Sequence, residues 1–382
     1  MRLQADFPRR GRLIPYALMA TLVLLACSPK GRGRFSSYIH GSSGSTSFPQ
    51  DANGGILVRV KLFAGEAVTV KADDFTFTSG KTTRRGSGSI TITEEGVLHP
   101  KGYFVLGGKR YHGSLEAKRD GGGWLYINHV SMDEYLTSVV SHEMSPSWHP
   151  EALKAQAVVA RTYLLLKMKE RAKKPYDVDT TTNFQVYGGV KKGDTGARNA
   201  VAETHNEVLY HGDKLAQTFF HSSCGGTLAS AEEVWGKSVP YLGVQSSPYC
   251  SAAPVYKWSV KIPFSEIGRR LAASGVRSVS VAERGPSKRV KTLNIVTARG
   301  TKKIRADKFR TALGALKVKS TFFGVARDGN SVVLTGRGFG HGVGMCQWGA
   351  KLQADERGTS YRRILDHYFP GTSLRAVSAA SV

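Results

Sequence analysis

The sequence predicts a mixed α+β protein, and three of its regions support this class. Residues 56–127 alternate apolar and polar side chains with the period of a β-strand. Residues 130–164 carry apolar side chains at helical spacing. Residues 255–316 combine both patterns, which indicates an inserted α/β subdomain. A chain of 382 residues is long enough for one large domain with such an elaboration.

The first 26 residues have the features of an export signal. Four arginines precede a mostly apolar stretch at residues 13–26, which is too short and too interrupted by proline for a membrane span. The stretch leads into Leu-Leu-Ala-Cys at residues 24–27, which resembles a bacterial lipobox. We therefore expect removal of residues 1–26, lipidation of Cys27, and a membrane-anchored lipoprotein on the periplasmic side of the bacterial envelope. An ordinary secretory peptide cut nearby is the alternative.

The chain is strongly basic, with a formal net charge of +25. Loss of residues 1–26, which hold four arginines and one aspartate, would leave about +22. Such a charge implies anionic surroundings: nucleic acid, acidic phospholipid or anionic wall polymer. Export argues against nucleic acid, and the basic stretches 167–174 and 288–308 contain no interleaved aromatics for base stacking. We expect the charge to serve steering and wall adhesion, without nucleic-acid binding.

The N-terminal half is predicted to be a tether followed by a β-meander. Residues 27–54 are rich in Ser, Gly and basic side chains with almost no apolar pattern, which is typical of a flexible tether. Short runs of alternating side chains, separated by Gly-rich or polar turns, then predict strands. They lie at residues 56–62, 67–70, 75–77, 89–93, 103–106 and 124–127.

Two helices are predicted to follow the meander and to meet at a corner. The first lies within residues 130–144. The second begins at His149-Pro150-Glu151, where proline suits the first helical turn, and continues through Leu164. The break at Ser145-Pro146 is tight, so the two helices should pack against each other.

The C-terminal half is predicted to contain the inserted subdomain between two parts of the main domain. Residues 178–260 mix short strands and loops, and residues 255–316 contain a strand, an amphipathic helix around Ile267 and Leu271, and further strands. A glycine-rich loop follows, with helices at about 345–357 and 361–368. Its glycines would permit close backbone approach to a neighbouring loop or to sugar. We therefore assign residues 55–254 and 317–375 to the main domain and 255–316 to the insertion.

Glu143 occupies an apolar position of the first predicted helix. Leu136, Val139, Val140 and Glu143 are spaced to share one helix face. A carboxyl group on that face would be partly desolvated, which raises its pKa and allows it to donate a proton near neutral pH. The alternative is a glutamate at the fraying helix end, facing water just before Ser145-Pro146.

Six sequence blocks, in this order, resemble the stage II sporulation protein D (SpoIID/LytB-like) family. They span roughly residues 125–372, and a chance match across six ordered blocks is improbable. The blocks are EYLTSVVSHEM (134–144), ALKAQAVVARTY (152–163), QVYG (185–188), HSSCGG (221–226), EVWG (233–236) and GRGFGHGVGMCQWGA (336–350).

The resemblance implies an activity on peptidoglycan. Some members of the family are lytic transglycosylases that cut glycan strands, and others are described as enhancers of a wall amidase. It also implies that Glu143, the glutamate of the family's Glu-Met pair, is the catalytic acid. A single carboxylate suffices for cleavage of the MurNAc-GlcNAc bond when the sugar's own 6-hydroxyl attacks and leaves a 1,6-anhydro end, whereas ordinary glycosidases need two.

The sequence therefore predicts an enzyme that acts on peptidoglycan glycan strands and needs no cofactor for the chemistry. One alternative is a non-catalytic wall-binding module that enhances an N-acetylmuramoyl-L-alanine amidase. Another is a basic adhesion protein without wall chemistry. Eight residues are candidates for contact with the glycan: Arg161, Tyr163, Gln185, Tyr187, Ser222, His341, Gln347 and Trp348. Arg161 can instead pair with Asp177 or Asp179, and His341, Gln347 and Trp348 can instead be structural.

Three cysteines are left if Cys27 is lipidated, and an odd number in an exported protein calls for an explanation. One hypothesis is a Cys224–Cys250 disulfide with Cys346 free and buried. A second is a structural zinc site made by His221, Cys224, Cys250 and Cys346; some family members are thought to bind zinc through His and Cys in this region. A third makes Cys224 or Cys346 a nucleophile with His221 or His341 as its base.

Overall fold

The computed structural model describes residues 48–50, 55–181 and 184–377. The expected signal segment, the lipidation site Cys27 and most of the expected tether lie outside these residues. Strands dominate the N-terminal part and helices follow them, so the predicted α+β class is confirmed. Within the described ranges, no helix is long and apolar enough to cross a membrane.

The N-terminal part is a nine-stranded, curled sheet. Its strands run in the order β6-β5-β2-β4-β7-β8-β1-β9, with β3 beside β2, and only β9 pairs in parallel with its neighbour. The predicted strands 67–70 and 75–77 are one strand, because an irregularity between Ala72 and Phe75 disturbs the alternation without ending the pairing. The strands are β1 (Leu57–Gly65), β2 (Thr69–Ser79), β3 (Thr82–Thr91), β4 (Gly96–Pro100), β5 (Tyr103–Leu106), β6 (Lys109–His112), β7 (Ser114–Asp120), β8 (Gly123–Ser131) and β9 (Val178–Asp179).

Two helices form the predicted corner against this sheet: α1 (Met132–Glu143) and α2 (Pro150–Glu170). Strand β8 leads directly into α1, where the Ser131 hydroxyl accepts a hydrogen bond from Glu134 N at 3.3 Å. Met144 has an extended backbone, so α1 ends at Glu143. His149 caps α2 by accepting from Glu151 N at 3.2 Å, with Pro150 in the first turn. The corner therefore fixes Glu143 at the end of a buried helix.

Short elements follow α2 and complete this part of the main domain. They are α3 (Thr195–Glu203), β10 (Glu207–His211), β11 (Lys214–Leu215), β12 (Phe220–His221), β13 (Thr227–Leu228), α4 (Ala231–Trp235), β14 (Gln245–Ser246) and a 3-10 turn (Pro248–Cys250). The α3 helix packs on both α1 and α2, so the corner is covered from the outside.

A second hydrophobic core lies within residues 258–334. It is enclosed by two three-stranded antiparallel sheets and two helices. This core includes the last two strands of the segment, which lie in the range predicted for the main domain. They pack here because the final strand pairs with the first. The elements are β15 (Lys257–Pro263), α5 (Phe264–Leu271), β16 (Val276–Arg284), β17 (Val290–Thr297), β18 (Gly300–Arg305), α6 (Ala306–Leu313), β19 (Phe323–Asp328) and β20 (Ser331–Arg337).

The chain then returns to the main core and brings two distant motifs together. Its last elements are β21 (Met345–Cys346), α7 (Gln347–Arg357), α8 (Tyr361–Tyr368) and β22 (Ser373–Ala376). Strand β21 pairs in parallel with β12, with His221 opposite Cys346. The glycine-rich loop before it supports this approach, because a side chain at Gly344 would place its Cβ 2.3 Å from the Phe219 carbonyl oxygen. The motifs at 221–226 and 336–350 thus form one structural unit.

Candidate functional site

Glu143 lies inside the protein and not at a solvated helix end. Only 1% of its surface is exposed, and its Oε1 accepts a hydrogen bond from Val186 N at 3.0 Å. Burial raises the pKa of Glu143 to about 7. The Val186 N–H and the Gln347 side chain lower the pKa because they favour the ionised form, but they offset the effect of burial only in part. The carboxyl can therefore exchange a proton near neutral pH.

The loop that reaches Glu143 depends on a glycine. Its approach brings Gly188 against the His142 ring, where a Cβ would lie 2.3 Å from His142 Nε2. A larger residue at Gly188 would therefore require movement of the His142 ring or of this loop. The QVYG motif thus contributes a backbone donor and a close approach to the site.

The first turn of α7 forms the opposite side of the site. Gln347 is buried beside Glu143, and its Nε2 has no hydrogen-bond partner of ordinary geometry among the described residues. Trp348 N donates to the Ser222 carbonyl oxygen at 3.0 Å, which joins this turn to the HSSCGG motif. The half-buried Trp348 ring lies 4.8 Å from that of Trp148, which follows Glu143 at the corner. The first turn of α7 thus places Gln347 beside Glu143 and joins Trp348 to Ser222.

A cluster of histidine and cysteine lies directly behind this turn. The ligand atoms of His221, Cys224 and Cys346 are within 4.8 Å of one another, and all three residues are buried. Cys250 Sγ lies 3.3 Å from Cys224 Sγ, so all four predicted ligands are adjacent. His221 Nδ1 is 3.1 Å from the Val343 carbonyl oxygen, and this contact leaves Nε2 buried without a partner among the described residues. The thiolate-nucleophile hypothesis fits poorly, because no cysteine of the cluster faces solvent.

Arg289, which no sequence pattern marked as a candidate, enters this cluster from the second core. Its guanidinium donates to the Cys224 carbonyl oxygen at 2.7 Å and to the Thr227 carbonyl oxygen at 2.9 Å. Complete burial lowers the pKa of Arg289 to about 10. In the sequence, Arg289 lies in a basic stretch, and such stretches are usually exposed to solvent. The hairpin between β16 and β17 directs its side chain into the protein.

Arg161 does not face the site. Its guanidinium is fully buried and donates to Thr204 Oγ1 at 3.3 Å, the Glu207 carbonyl oxygen at 3.1 Å and the Val201 carbonyl oxygen at 3.1 Å. Neither Asp177 nor Asp179 pairs with it; Asp177 pairs with Arg59 instead. The predicted contact with glycan is therefore not supported, because this side chain satisfies carbonyl groups beneath α3 and β10.

Replacing Arg161 with alanine is expected to lower the free energy of unfolding by ~2–4 kcal/mol, because buried carbonyl groups would lose their donors. Urea denaturation followed by circular dichroism measures this loss. Lys169→Ala, an exposed change on the same helix, should stay within ~0.5 kcal/mol of the parent protein. Equal stability of all three proteins would contradict the structural role of Arg161.

Gln185 and Tyr187 also have packing roles. The Gln185 amide is enclosed between Tyr135 and the Ala160 carbonyl oxygen, each at 3.4 Å. The Tyr187 hydroxyl donates to Asn128 Oδ1 at 2.6 Å, and its ring stacks on that of Tyr135 at 5.1 Å. Both side chains are buried in this structure, so contact of either with sugar would require movement of the QVYG loop and stays a prediction.

Tyr163 and His341 lie in an aromatic cluster next to the site. Phe219 contacts both of them, at ring distances of 6.5 Å and 6.4 Å. His341 also lies 5.1 Å from the Trp235 ring and 5.5 Å from the His221 ring. Phe219, Trp235 and His341 are only partly buried. The EVWG motif thus contributes an aromatic ring to a surface that adjoins the His221 cluster.

Burial of the Glu143 carboxyl predicts that the stability of the fold decreases as the pH rises. A carboxyl whose pKa is higher in the folded than in the unfolded chain stabilises the fold while it is protonated. That contribution is complete below about pH 4.5 and is lost as the pH rises through about 7. Relative to Glu143→Gln, the parent should therefore lose ~3 kcal/mol of unfolding free energy between these pH values. Urea titrations of both proteins at pH 5 and pH 8 measure this loss. The same change in unfolding free energy for the parent and for Glu143→Gln would contradict burial of the carboxyl.

Comparisons with known proteins identify the family of the chain. The family profile described as "Stage II sporulation protein" matches residues 120–211, which contain the corner and Glu143. A domain of unknown function, DUF8618, matches residues 231–344, which include the second core.

Similar proteins extend the match over most of the chain. An uncharacterized protein of Brachyspira hyodysenteriae is 37% identical over 75% of this chain and 78% of its own length. Stage II sporulation protein D of Bacillus subtilis is 32% identical over 66% of this chain and 77% of its own length. The amidase enhancer of Bacillus subtilis is 28% identical over 63% of this chain but only 40% of its own length. The resemblance seen in the six motifs is confirmed, and the chain belongs to the stage II sporulation protein D family.

Proposed function

We propose that this protein is a lytic transglycosylase that cleaves peptidoglycan glycan strands in the bacterial envelope, with Glu143 as its single acid and base. The observation that supports this most is a buried carboxyl with a pKa of about 7, held between the QVYG loop and the first turn of α7. Burial, the Val186 N–H and the Gln347 side chain shift the pKa of Glu143. No second carboxylate among the described residues contributes to this shift. A site with one carboxyl group fits intramolecular cleavage better than hydrolysis, which ordinarily needs two.

The proposed reaction uses both protonation states of Glu143. The protonated carboxyl gives its proton to the glycosidic oxygen as the bond between that oxygen and the anomeric carbon of MurNAc breaks. The MurNAc 6-hydroxyl oxygen bonds to the anomeric carbon and forms the 1,6-anhydro ring. The hydroxyl proton passes to the Glu143 carboxylate, which restores the acid. Because the nucleophile belongs to the substrate, its effective concentration is high and no positioned water is required.

The surroundings of Glu143 suggest how a glycan would be held. The half-buried rings of Trp148 and Trp348 offer apolar faces beside Gln347, and pyranose rings commonly pack on such faces. Glu143 itself is 1% exposed. A glycan can therefore reach the carboxyl only after the QVYG loop or the first turn of α7 moves. Binding energy from the Trp surface would be available to drive that movement.

The test is product analysis by mass spectrometry. Purified glycan strands, with and without stem peptides, are incubated with the parent protein and with Glu143→Gln. Products with anhydro-muramic ends from the parent alone would support the proposal and assign the acid. Reducing ends without anhydro rings would show hydrolysis and contradict it.

A second candidate function is stimulation of a wall amidase by a protein that does not itself cut glycan. The similarity to a protein named amidase enhancer favours this candidate. It predicts no glycan cleavage with either substrate, together with faster release of stem peptides when an N-acetylmuramoyl-L-alanine amidase is added. Glu143→Gln should leave that stimulation unchanged if the carboxyl has no catalytic use.

We also propose that His221, Cys224, Cys346 and Cys250 hold a structural zinc ion. The residues fit the metal: the donor set is one imidazole and three sulfur atoms, and His221 Nε2 is buried without a partner among the described residues. When bound, the ion would supply no step of the reaction. It would tie the HSSCGG loop to the start of α7 and so keep Gln347 beside Glu143. The expected lipid anchor at Cys27 remains part of the proposal for an envelope location.

A further inference from the structure

A basic cleft lies on the face of the second core, away from the residues assigned to catalysis. Its volume is about 530 Å³, within the range of sites that hold small ligands or short polymer segments. Four exposed cationic side chains line it: Lys257, Arg284, Lys288 and Arg337. The other lining residues are Phe322, Phe323, Gly324, Thr335 and Gly336, so none is acidic.

The four cations of the cleft are not neutralised by any carboxylate that the structure describes. Within the described ranges, no carboxylate lies within 4.0 Å of any of them. Four other cations of this core are paired with carboxylates, in Lys261–Asp328, Lys291–Glu283, Arg305–Asp307 and Lys317–Glu266. The four cleft cations repel one another, and a bound anion would reduce that repulsion.

The turn that carries Lys288 is fixed by the neighbouring cleft residue Arg284. Lys288 closes the hairpin between β16 and β17 with φ +64°, a conformation that favours glycine. Arg284 fixes this turn by donating to the Lys288 carbonyl oxygen at 2.8 Å and to the Phe323 carbonyl oxygen at 2.9 Å. The turn thus places the Lys288 ammonium group at the cleft, in a backbone conformation that glycine adopts more readily.

We propose that this cleft binds a polymer of phosphodiester units, such as poly(glycerol phosphate). The charged side chains of the lining are all donors, and guanidinium groups match the paired oxygens of a phosphate. A peptide stem would bring an ammonium group and amide N–H groups, for which the lining offers no carboxylate. Nucleic-acid bases would need exposed aromatic faces, whereas Phe322 and Phe323 are buried. The concave form fits a chain better than a flat membrane surface.

The cleft lies next to the loop that contains the HSSCGG motif, so binding there would affect where the protein acts. A side chain at Gly225, next to Cys224, would place its Cβ 2.9 Å from Arg337 Cβ, so the cleft adjoins the HSSCGG loop. A polymer held there would keep the Glu143 site close to the wall. The binding goes beyond the proposed cleavage and does not depend on it, since the polymer contains no MurNAc-GlcNAc bond.

The experiment measures binding of a fluorescent glycerol phosphate oligomer to the whole protein by anisotropy at several salt concentrations. The test variant is Lys257→Gln with Lys288→Gly, which removes two cleft charges and places glycine at the positive φ. The matched control is Lys261→Gln with Lys291→Gln, which removes two charges that are paired outside the cleft. We expect the test variant to bind ~10-fold more weakly, with a salt dependence reduced by ~1–2 ion equivalents, and the control to bind within ~2-fold of the parent.

Other outcomes would overturn the assignment. Equal weakening by the test and control pairs would mean that net charge alone attracts the polymer. A muropeptide with a stem peptide could bind more tightly than the oligomer and lose this binding in the test variant. That result would show that the cleft binds peptide carboxylates instead of phosphodiesters. Binding of a single-stranded oligonucleotide more than ~10-fold tighter than an oligomer of equal charge would indicate base recognition. Thermal unfolding of each variant verifies that a loss of binding is not a loss of fold.

Discussion

Replacing Glu143 with glutamine is expected to lower the rate of glycan cleavage by ~10²–10⁴-fold, the usual contribution of a general acid and base. Glutamine has nearly the volume of glutamate and retains an oxygen that can accept from the Val186 N–H, so the site should keep its shape. It can neither protonate the glycosidic oxygen nor accept the proton of the 6-hydroxyl. The appearance of anhydro-muramic ends over time, counted by mass spectrometry, measures the rate.

The control separates loss of chemistry from loss of charge. Glu170→Gln changes an exposed carboxylate at the end of α2 and should leave the rate within ~2-fold of the parent. A Glu143→Gln protein that cleaves glycan at the parent rate would refute the assigned role. A parent protein that cleaves neither intact nor denuded strands would favour the amidase-enhancing function instead.

The features that sequence could predict near this site are local ones. The burial of Glu143 follows from its spacing with Leu136 and Val140 on one helix face, because helical periodicity alone selects that face. The corner follows from the Ser145-Pro146 break and from Pro150 in the first turn of α2. In both cases the determining residues lie within two helical turns of the feature that they determine.

The features that sequence could not predict depend on contacts between distant segments. Arg161 and Gln185 are polar residues within family motifs, which suggested contact with sugar; each instead satisfies a backbone carbonyl that only the folded chain brings near. Arg289 is one arginine in a basic stretch, and its inward direction depends on the hairpin between β16 and β17. The second hydrophobic core also continues beyond residue 316, the predicted end of the insertion, because β20 pairs with β15 across more than sixty residues of chain.

Removing the proposed zinc is expected to have the largest effect on stability. Structural zinc sites contribute ~10 kcal/mol or more to the folding free energy of small domains. Because a hydrophobic core also stabilises this protein, we expect loss of zinc to lower Tm by ~10 °C or more. Cys224→Ser and His221→Gln should each lose bound zinc, as measured by elemental analysis, and should unfold at the lower temperature. The chelator-treated parent should behave like these variants. His99→Gln, an exposed change in β4, should retain both the metal and the parent Tm.

The disulfide hypothesis makes the opposite prediction for the same cysteines. The Cys224 and Cys250 sulfur atoms are 3.3 Å apart, close enough for a small movement to join them and suitable for two ligands of one ion. If zinc is bound, denaturation with chelator and without reductant should allow all three thiols, Cys224, Cys250 and Cys346, to be alkylated. A disulfide would leave only Cys346 reactive. Because Cys346 directly precedes Gln347, loss of the metal should also slow glycan cleavage, whereas a disulfide would make cleavage insensitive to chelator.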